Sequence, residues 1–285
     1  LVDSASKFSL WMRLSEGMPA IRAGEFVLYD NMSPSGIVEV LSGQDGSKGV
    51  RVTVPEGYRI SQVAQLLEQS KLVSSKDFMD ASTDRGFLES LGIRGKSAEG
   101  FLFPDTYYFQ KDATAKKILE KMHKNFLSKL EELQLSGRSD IFELVILASI
   151  VQAEARLAEE APIIAGVYSN RLDPELFPLG RLQADPTVAY GCDPIVEPRA
   201  PSCASFKGTL GTKQLEDSRN PYNTYRHKGL PPGPICAPGS VALMAAARPA
   251  KVPYMYFVAK KDGSHTFSTS LEDHNRAVRA YRRDN

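Results

Sequence analysis

The chain lacks any run of about 18 apolar residues, the length a membrane-crossing helix needs, so no segment reads as a membrane span. It also has little net charge, +1: 35 basic residues stand against 34 acidic ones, and no basic stripe is sustained over a window. That removes the electrostatic footprint of a nucleic-acid partner. Cysteine is scarce. Cys192, Cys203 and Cys236 form no Cys-x-x-Cys pair, and no histidine sits at zinc-ligand spacing from them. Cys192 and Cys203 bracket a proline-rich loop and could pair in an oxidising compartment, while three unpaired thiols fit the pattern equally well. There is no Gly-x-Ser-x-Gly elbow and no Gly-Lys-Ser/Thr phosphate loop. The four histidines, His123, His227, His265 and His274, are too scattered for a metal site and read as surface or supporting residues. No metal and no cofactor is expected.

What is present is an ordinary globular composition. With 285 residues, 42% hydrophobic, the chain can bury one large core or two moderate ones. It opens on Leu1-Val2-Asp3 rather than Met, which leaves room for a signal or anchor before it.

Turn residues divide the first hundred positions into short units. Residues 24–29 read as a strand. Ser33 and Pro34, a good N-cap and a good first helical residue, open a helix to about Leu41, which Gly43 ends. Residues 50–54 alternate as a strand does, and 60–72 is an amphipathic helix with Val63, Leu66 and Leu67 on one side. A further helical stretch covers 76–91. Residues 100–109 are an aromatic-rich extended segment, 113–135 a charged helix with one apolar stripe, and 142–160 a second long helix. Gly- and Pro-rich loops follow, then a hairpin from 254–259 and 266–268, and a terminal helix from about Ser270. The fold class predicted is α+β in two parts divided near residue 95, the smaller first.

Chemistry concentrates where the long apolar helix meets its first polar residues. Residues 144–151 are apolar nearly all round, the pattern of a buried helix. Glu154 follows seven residues after Leu147 and so projects from the same side. Desolvation there raises a carboxyl pKa, which suits a general acid near neutral pH. The plainer reading is that the helix simply surfaces at Glu154, as Glu159 and Glu160 are read to do. Two loops, 180–191 and 220–234, add Tyr, Asn and Gln with few charges, a common lining for a carbohydrate cleft and also a common content of structural loops.

At this point the residues resemble a known family. Leu147-Ala148-Ser149-Ile150-Val151-Gln152-Ala153-Glu154 is similar to the signature helix of the YceG-like (MltG) family of endolytic murein transglycosylases. Residues 182–191 resemble its Leu-Gln-x-Asp-Pro-Thr-Val-x-Tyr-Gly motif. Residues 222–234 resemble its Tyr-Asn-Thr-Tyr-x-x-x-Gly-Leu-Pro-Pro-Gly-Pro motif, and 99–107 its Glu-Gly-x-Leu-Phe-Pro-Asp-Thr-Tyr motif. Four long motifs in order cover nearly the whole chain. Many members read Glu-Lys-Glu where this chain has Gln152-Ala153-Glu154, so the catalytic role falls to Glu154, the acid left in the motif.

The resemblance implies a LysM-like module over 1–95 and a YceG-like catalytic domain over 96–285. It also implies a membrane helix before the chain, and a catalytic domain in the periplasm or outside the cell. The implied reaction cuts the β-1,4 bond between N-acetylmuramic acid and N-acetylglucosamine inside peptidoglycan strands, leaving 1,6-anhydro ends. Cell-wall synthesis proteins are possible partners. Gln183, Asp185, Thr187, Tyr190, Asn223 and Tyr225 are expected to hold sugar rings or position Glu154. Asp185 has two further readings, a turn or N-cap role and a second catalytic carboxylate. A two-carboxylate hydrolase and a non-catalytic glycan-binding scaffold are the rival functions.

Overall fold

The computed structural model describes residues 34–42 and 49–283; the strand expected at 24–29, Ser33 and Gly43 lie outside them. The architecture is mixed α+β, with many helices and two small antiparallel ladders. Helix α1 spans Pro34–Leu41. Strand β1 (Val50–Thr53) leads to α2 (Ile60–Gln69), which buries Ile60, Val63, Ala64 and Leu67 on one side. The stretch expected to be one helix over 76–91 is two, α3 (Ser75–Thr83) and α4 (Arg85–Ser90). The break is chemical: Asp84 leaves the helical conformation and its carboxylate accepts from the Phe87 N–H at 3.1 Å, capping a new helix.

Strand β2 (Thr106–Phe109) closes this region by pairing antiparallel with β1, Val50 opposite Phe109 and Thr53 opposite Thr106. Helix α5 (Ala115–Glu132) starts on Thr114, whose hydroxyl accepts from Lys117, and buries the stripe Ile118, Met122, Phe126 and Leu130. The division expected near residue 95 is therefore crossed by a ladder and by one continuous core that runs from Val52 to Ala246. His123 on α5 is part of that core. It is buried, with its ring nitrogens on the Phe101 and Leu91 carbonyls, so of the two roles expected of it, surface or supporting, it has the supporting one.

Helix α6 (Ile141–Glu154) is the central rod, with every residue from Leu144 to Val151 buried. It ends at Glu154, not at 160. Ala155 is extended, and a separate 3-10 turn covers Ala158–Glu160. Helix α7 (Ala161–Leu172) then packs back against α6. Short helices α8 (Asp185–Tyr190) and α9 (Thr212–Glu216) are embedded in the long loops, and a disulfide joins Cys192 to Cys203. Helix α10 (Ser240–Ala247) packs against both α6 and α7. The β3 (Tyr256–Ala259) and β4 (His265–Ser268) hairpin and α11 (Leu271–Arg283) finish the chain.

Helix α7 approaches the chain after α10 so closely that only glycine fits between them. A Cβ on Gly166 would lie 2.3 Å from the Ala250 carbonyl oxygen, a backbone atom that cannot swing away. Gly166→Ala is expected to lower the unfolding free energy by about 1–3 kcal/mol, read as a lower Tm. An unchanged Tm would mean that α7 can shift without loss.

Candidate active site

Glu154 is the last residue of α6, at the helix end where backbone carbonyls lack intrahelical donors. It is half-buried and keeps some contact with solvent. The Tyr168 hydroxyl, from the facing helix α7, donates to its Oε1 at 2.9 Å. Its pKa is raised to about 7. Burial is the main cause, because the charged form loses water. Asp185 pushes in the same direction, while the Tyr168 hydrogen bond and the Arg171 charge pull it back. The negative end of the helix disfavours the anion as well.

Tyr168 and Arg171 stand three residues apart on α7 and are both buried. Arg171 donates from Nε to the Met255 carbonyl at 2.7 Å and from Nη1 to the Leu182 carbonyl. The rings of Tyr256 and Phe177 lie at 5.1 and 5.5 Å from its guanidinium carbon. These partners are neutral, and among the described residues Arg171 touches no carboxylate at ion-pair distance. Its charge therefore acts through space, on Glu154 among others. The sequence expectation places neither residue at the site, because it assigns 161–172 to loop. Pro162 at the helix start, followed by Ile164, Val167, Tyr168 and Arg171 at helical spacing, was the available signal.

The two motif loops reach this carboxyl unequally. Asp185 is exposed at the first turn of α8. It is not an N-cap, since Ala184 holds that position and Asp185 instead accepts from the Tyr225 hydroxyl at 2.7 Å. Burial raises the Tyr225 pKa, and the charges of Asp185 and Glu154 add to the effect. Gln183 sits between the loops with a positive φ of 52°, its N–H on the Thr224 carbonyl at 3.2 Å. Its side-chain amide makes no hydrogen bond among the described residues.

Thr187, Tyr190 and Asn223 are buried, with their polar atoms turned to the protein. Thr187 Oγ1 donates to the Ala184 carbonyl at 2.7 Å and lies 2.9 Å from Thr224 Oγ1. Asn223 Nδ2 serves three carbonyls, of Gln214, Leu215 and Asp217. The Tyr190 hydroxyl donates to Glu99 at 3.1 Å. Of the two acids read as solvent-facing, Glu159 is exposed. Glu160 is not, since its carboxylate accepts from the His265 N–H at 3.0 Å and meets Nδ1 of the same residue at 2.7 Å. Gln152, where many relatives have an acid, uses Oε1 to accept from the Gly239 N–H at 2.9 Å, tying α6 to the start of α10.

The chain is similar to an endolytic murein transglycosylase of Bacillus subtilis, 28% identical over 299 residues that cover 99% of this chain and 78% of the relative. An endolytic murein transglycosylase of Streptococcus pneumoniae is 28% identical over 288 residues, 90% of this chain but 50% of its own length. The solved structure of a yceG-like protein of Listeria monocytogenes superimposes with a TM-score of 0.67 at 29% identity, covering 96% of this chain and 91% of that one. A model of the YceG-like family matches residues 1–280, and the chain belongs to that family.

Proposed function

We propose that this member of the YceG-like family is a lytic transglycosylase that cuts peptidoglycan strands internally with one carboxyl group. The observation that carries the reading is Glu154: a half-buried acid at the end of an apolar helix, raised to about 7 and held by a buried tyrosine. Protonated Glu154 gives its proton to the oxygen linking N-acetylmuramic acid to N-acetylglucosamine. The C1–O bond breaks, and its electron pair stays on the leaving oxygen. The muramic acid C6 hydroxyl then bonds to C1, and its proton returns to the Glu154 carboxylate. One group serves as acid and then base, no water is consumed, and no metal or cofactor is required. The substrate's own 2-acetamido group stabilises the cation-like carbon, so no protein nucleophile is used.

Gln183, Asp185 and Tyr225 are the groups we assign to the sugar rings, supported by the unpaired amide of Gln183 and the exposure of Asp185. Thr187, Tyr190 and Asn223 act behind them, fixing the loops. Residues 96–285 carry the chemistry. Residues 1–95 serve as the LysM-like module, joined to the catalytic part through the β1–β2 ladder. The enzyme works on the cell-wall side of the membrane, anchored through a helix outside the given sequence. Mass spectrometry of digested strands tests the reaction. Ends lighter than a reducing sugar by one water are expected, and reducing ends would assign hydrolysis by Glu154 with Asp185 instead.

The pH dependence follows from the acid role. Activity is expected to fall as pH rises through about 7, where Glu154 loses its proton. Arg171 favours the anion, so Arg171→Met, which keeps a long apolar stem, is expected to move that limb to higher pH by roughly half a unit or more. A limb that stays in place while Tm falls would confine Arg171 to a structural role.

A further inference from the structure

A cavity of about 450 Å³ lies away from Glu154, between helix α3, the turn at 95–97 and the far side of the 222–234 loop. Glu154 does not line it. Its place relative to the carboxyl can be followed along α6. Pro234, on the cavity wall, lies where a Cβ on Gly100 would also meet Val145. From there the chain runs beside α6, with the Ile235 N–H on Ser149 Oγ at 3.0 Å and the Gly239 N–H on Gln152. Along the helix, at 1.5 Å per residue, Val145 lies about 13 Å from Glu154 and Ser149 about 7 Å from it. One loop serves both places, with Tyr222 on the cavity and Tyr225 against Asp185 near the carboxyl.

The lining combines prolines, Met79, Ile195 and Val196 with Tyr190 and Tyr222, and it contains no Asn or Gln. Two charges of opposite sign, Lys96 and Glu197, are exposed at its edge. Asp80, also in the lining, is already bonded to Lys76, whereas Lys96 and Glu197 have no ion-pair or hydrogen-bond partner among the described residues. A hollow with a proline- and alkyl-lined part, flanked by unpaired charges of both signs, fits a short peptide with a free carboxylate, a free amine and alkyl side chains.

We propose that this cavity binds the peptide branch of the murein strand while Glu154 cuts the glycan, with Lys96 on a peptide carboxylate and Glu197 on a peptide amine. The proposal rests on the murein reading above. It means that strands still carrying their peptides are the preferred substrate.

The test uses glycan strands of matched length, with peptides intact or removed by an amidase, and the wild type beside Lys96→Glu and Ile195→Trp, the second filling the hollow. The wild type is expected to show a KM on peptide-bearing strands at least several-fold below that on stripped strands. Both variants should lose that difference while keeping kcat and their activity on stripped strands. Equal KM values for the wild type, or an undiminished preference in both variants, would overturn the proposal. Calorimetric titration of the free tripeptide L-alanyl-γ-D-glutamyl-diaminopimelate supplies a measurement that does not need cleavage. Binding to the wild type and loss of binding in Lys96→Glu are expected, and no binding to the wild type counts against the site. Failure of the wild type to cleave either kind of strand would sink the murein reading, and the titration would still judge the cavity.

Discussion

Glu154→Gln is expected to reduce strand cleavage by roughly 10³-fold or more, since one substitution removes both the proton donor and the base of the reaction. The fold should survive. Glutamine has the shape of glutamic acid, and its amide oxygen can still accept from the Tyr168 hydroxyl, which now donates to Glu154 at 2.9 Å. The ionised form of Glu154 is the one that burial penalises, so at pH 8 the variant should have a Tm equal to the wild type's or above it. Retained glycan binding with lost cleavage, measured on the same preparation, separates a chemical role from a structural one. Asp185→Asn provides the contrast. A transglycosylase that uses Glu154 alone should lose far less with this change, because Asp185 acts on the carboxyl only through space. Losses of equal size, together with reducing ends in the product, would return the site to a two-carboxylate hydrolase. A Glu154→Gln variant that cleaves at the wild-type rate would remove the assignment altogether.

The reason Glu154 could be found in the sequence is that its signal is local. An eight-residue apolar run with a carboxylate one heptad past Leu147 states burial and direction together, and both depend on helical geometry alone. The partners of Glu154 were not legible for the opposite reason. Tyr168 reaches it because α6 stops at Glu154, Ala155 turns extended, and α7 folds back. A reading that ran the helix on to 160 had no place for that return. Helix α7 was masked by Gly166 inside it, a residue that weakens a helical pattern unless close packing calls for it. The β1–β2 ladder joins segments more than fifty residues apart, so nothing in either strand announces its partner or the register. The motif loops mark which residues count without telling which way they point. Thr187, Tyr190 and Asn223 carry groups that could bind a sugar, yet nearby backbone carbonyls take those of Thr187 and Asn223, and the Glu99 carboxylate takes that of Tyr190.

Stability should fall as pH rises from 5 to 9, and Glu99 should account for most of the fall. Its carboxylate is buried, accepts from the Ile60 N–H at 3.1 and 3.2 Å and from the Tyr190 hydroxyl at 3.1 Å, and its pKa is raised to about 8. Burial is the largest cause, and the Asp193 charge adds to it, while the hydrogen bonds and Arg59 oppose it. The sign follows from proton binding. Between the unfolded value of 4.5 and the folded value of about 8, the native state holds a proton that the unfolded chain has released. Unfolding is therefore favoured as pH rises through that window, by on the order of 3–5 kcal/mol in total, and the loss levels off above it. Glu154, raised to about 7, works in the same direction over a narrower window. The lowered pKa of Asp217 acts only below the unfolded carboxylate range and leaves this window alone. Glu99→Gln removes the proton while keeping an acceptor for Ile60. Its unfolding free energy, from urea titrations at pH 5, 7 and 9, should be much flatter than the wild type's, with the two curves furthest apart at pH 9 and the variant the more stable there. Parallel curves would mean that Glu99 is already ionised at pH 5 in the folded protein. The carboxylate would then be one that the Ile60 N–H, the Tyr190 hydroxyl and Arg59 hold charged against its burial.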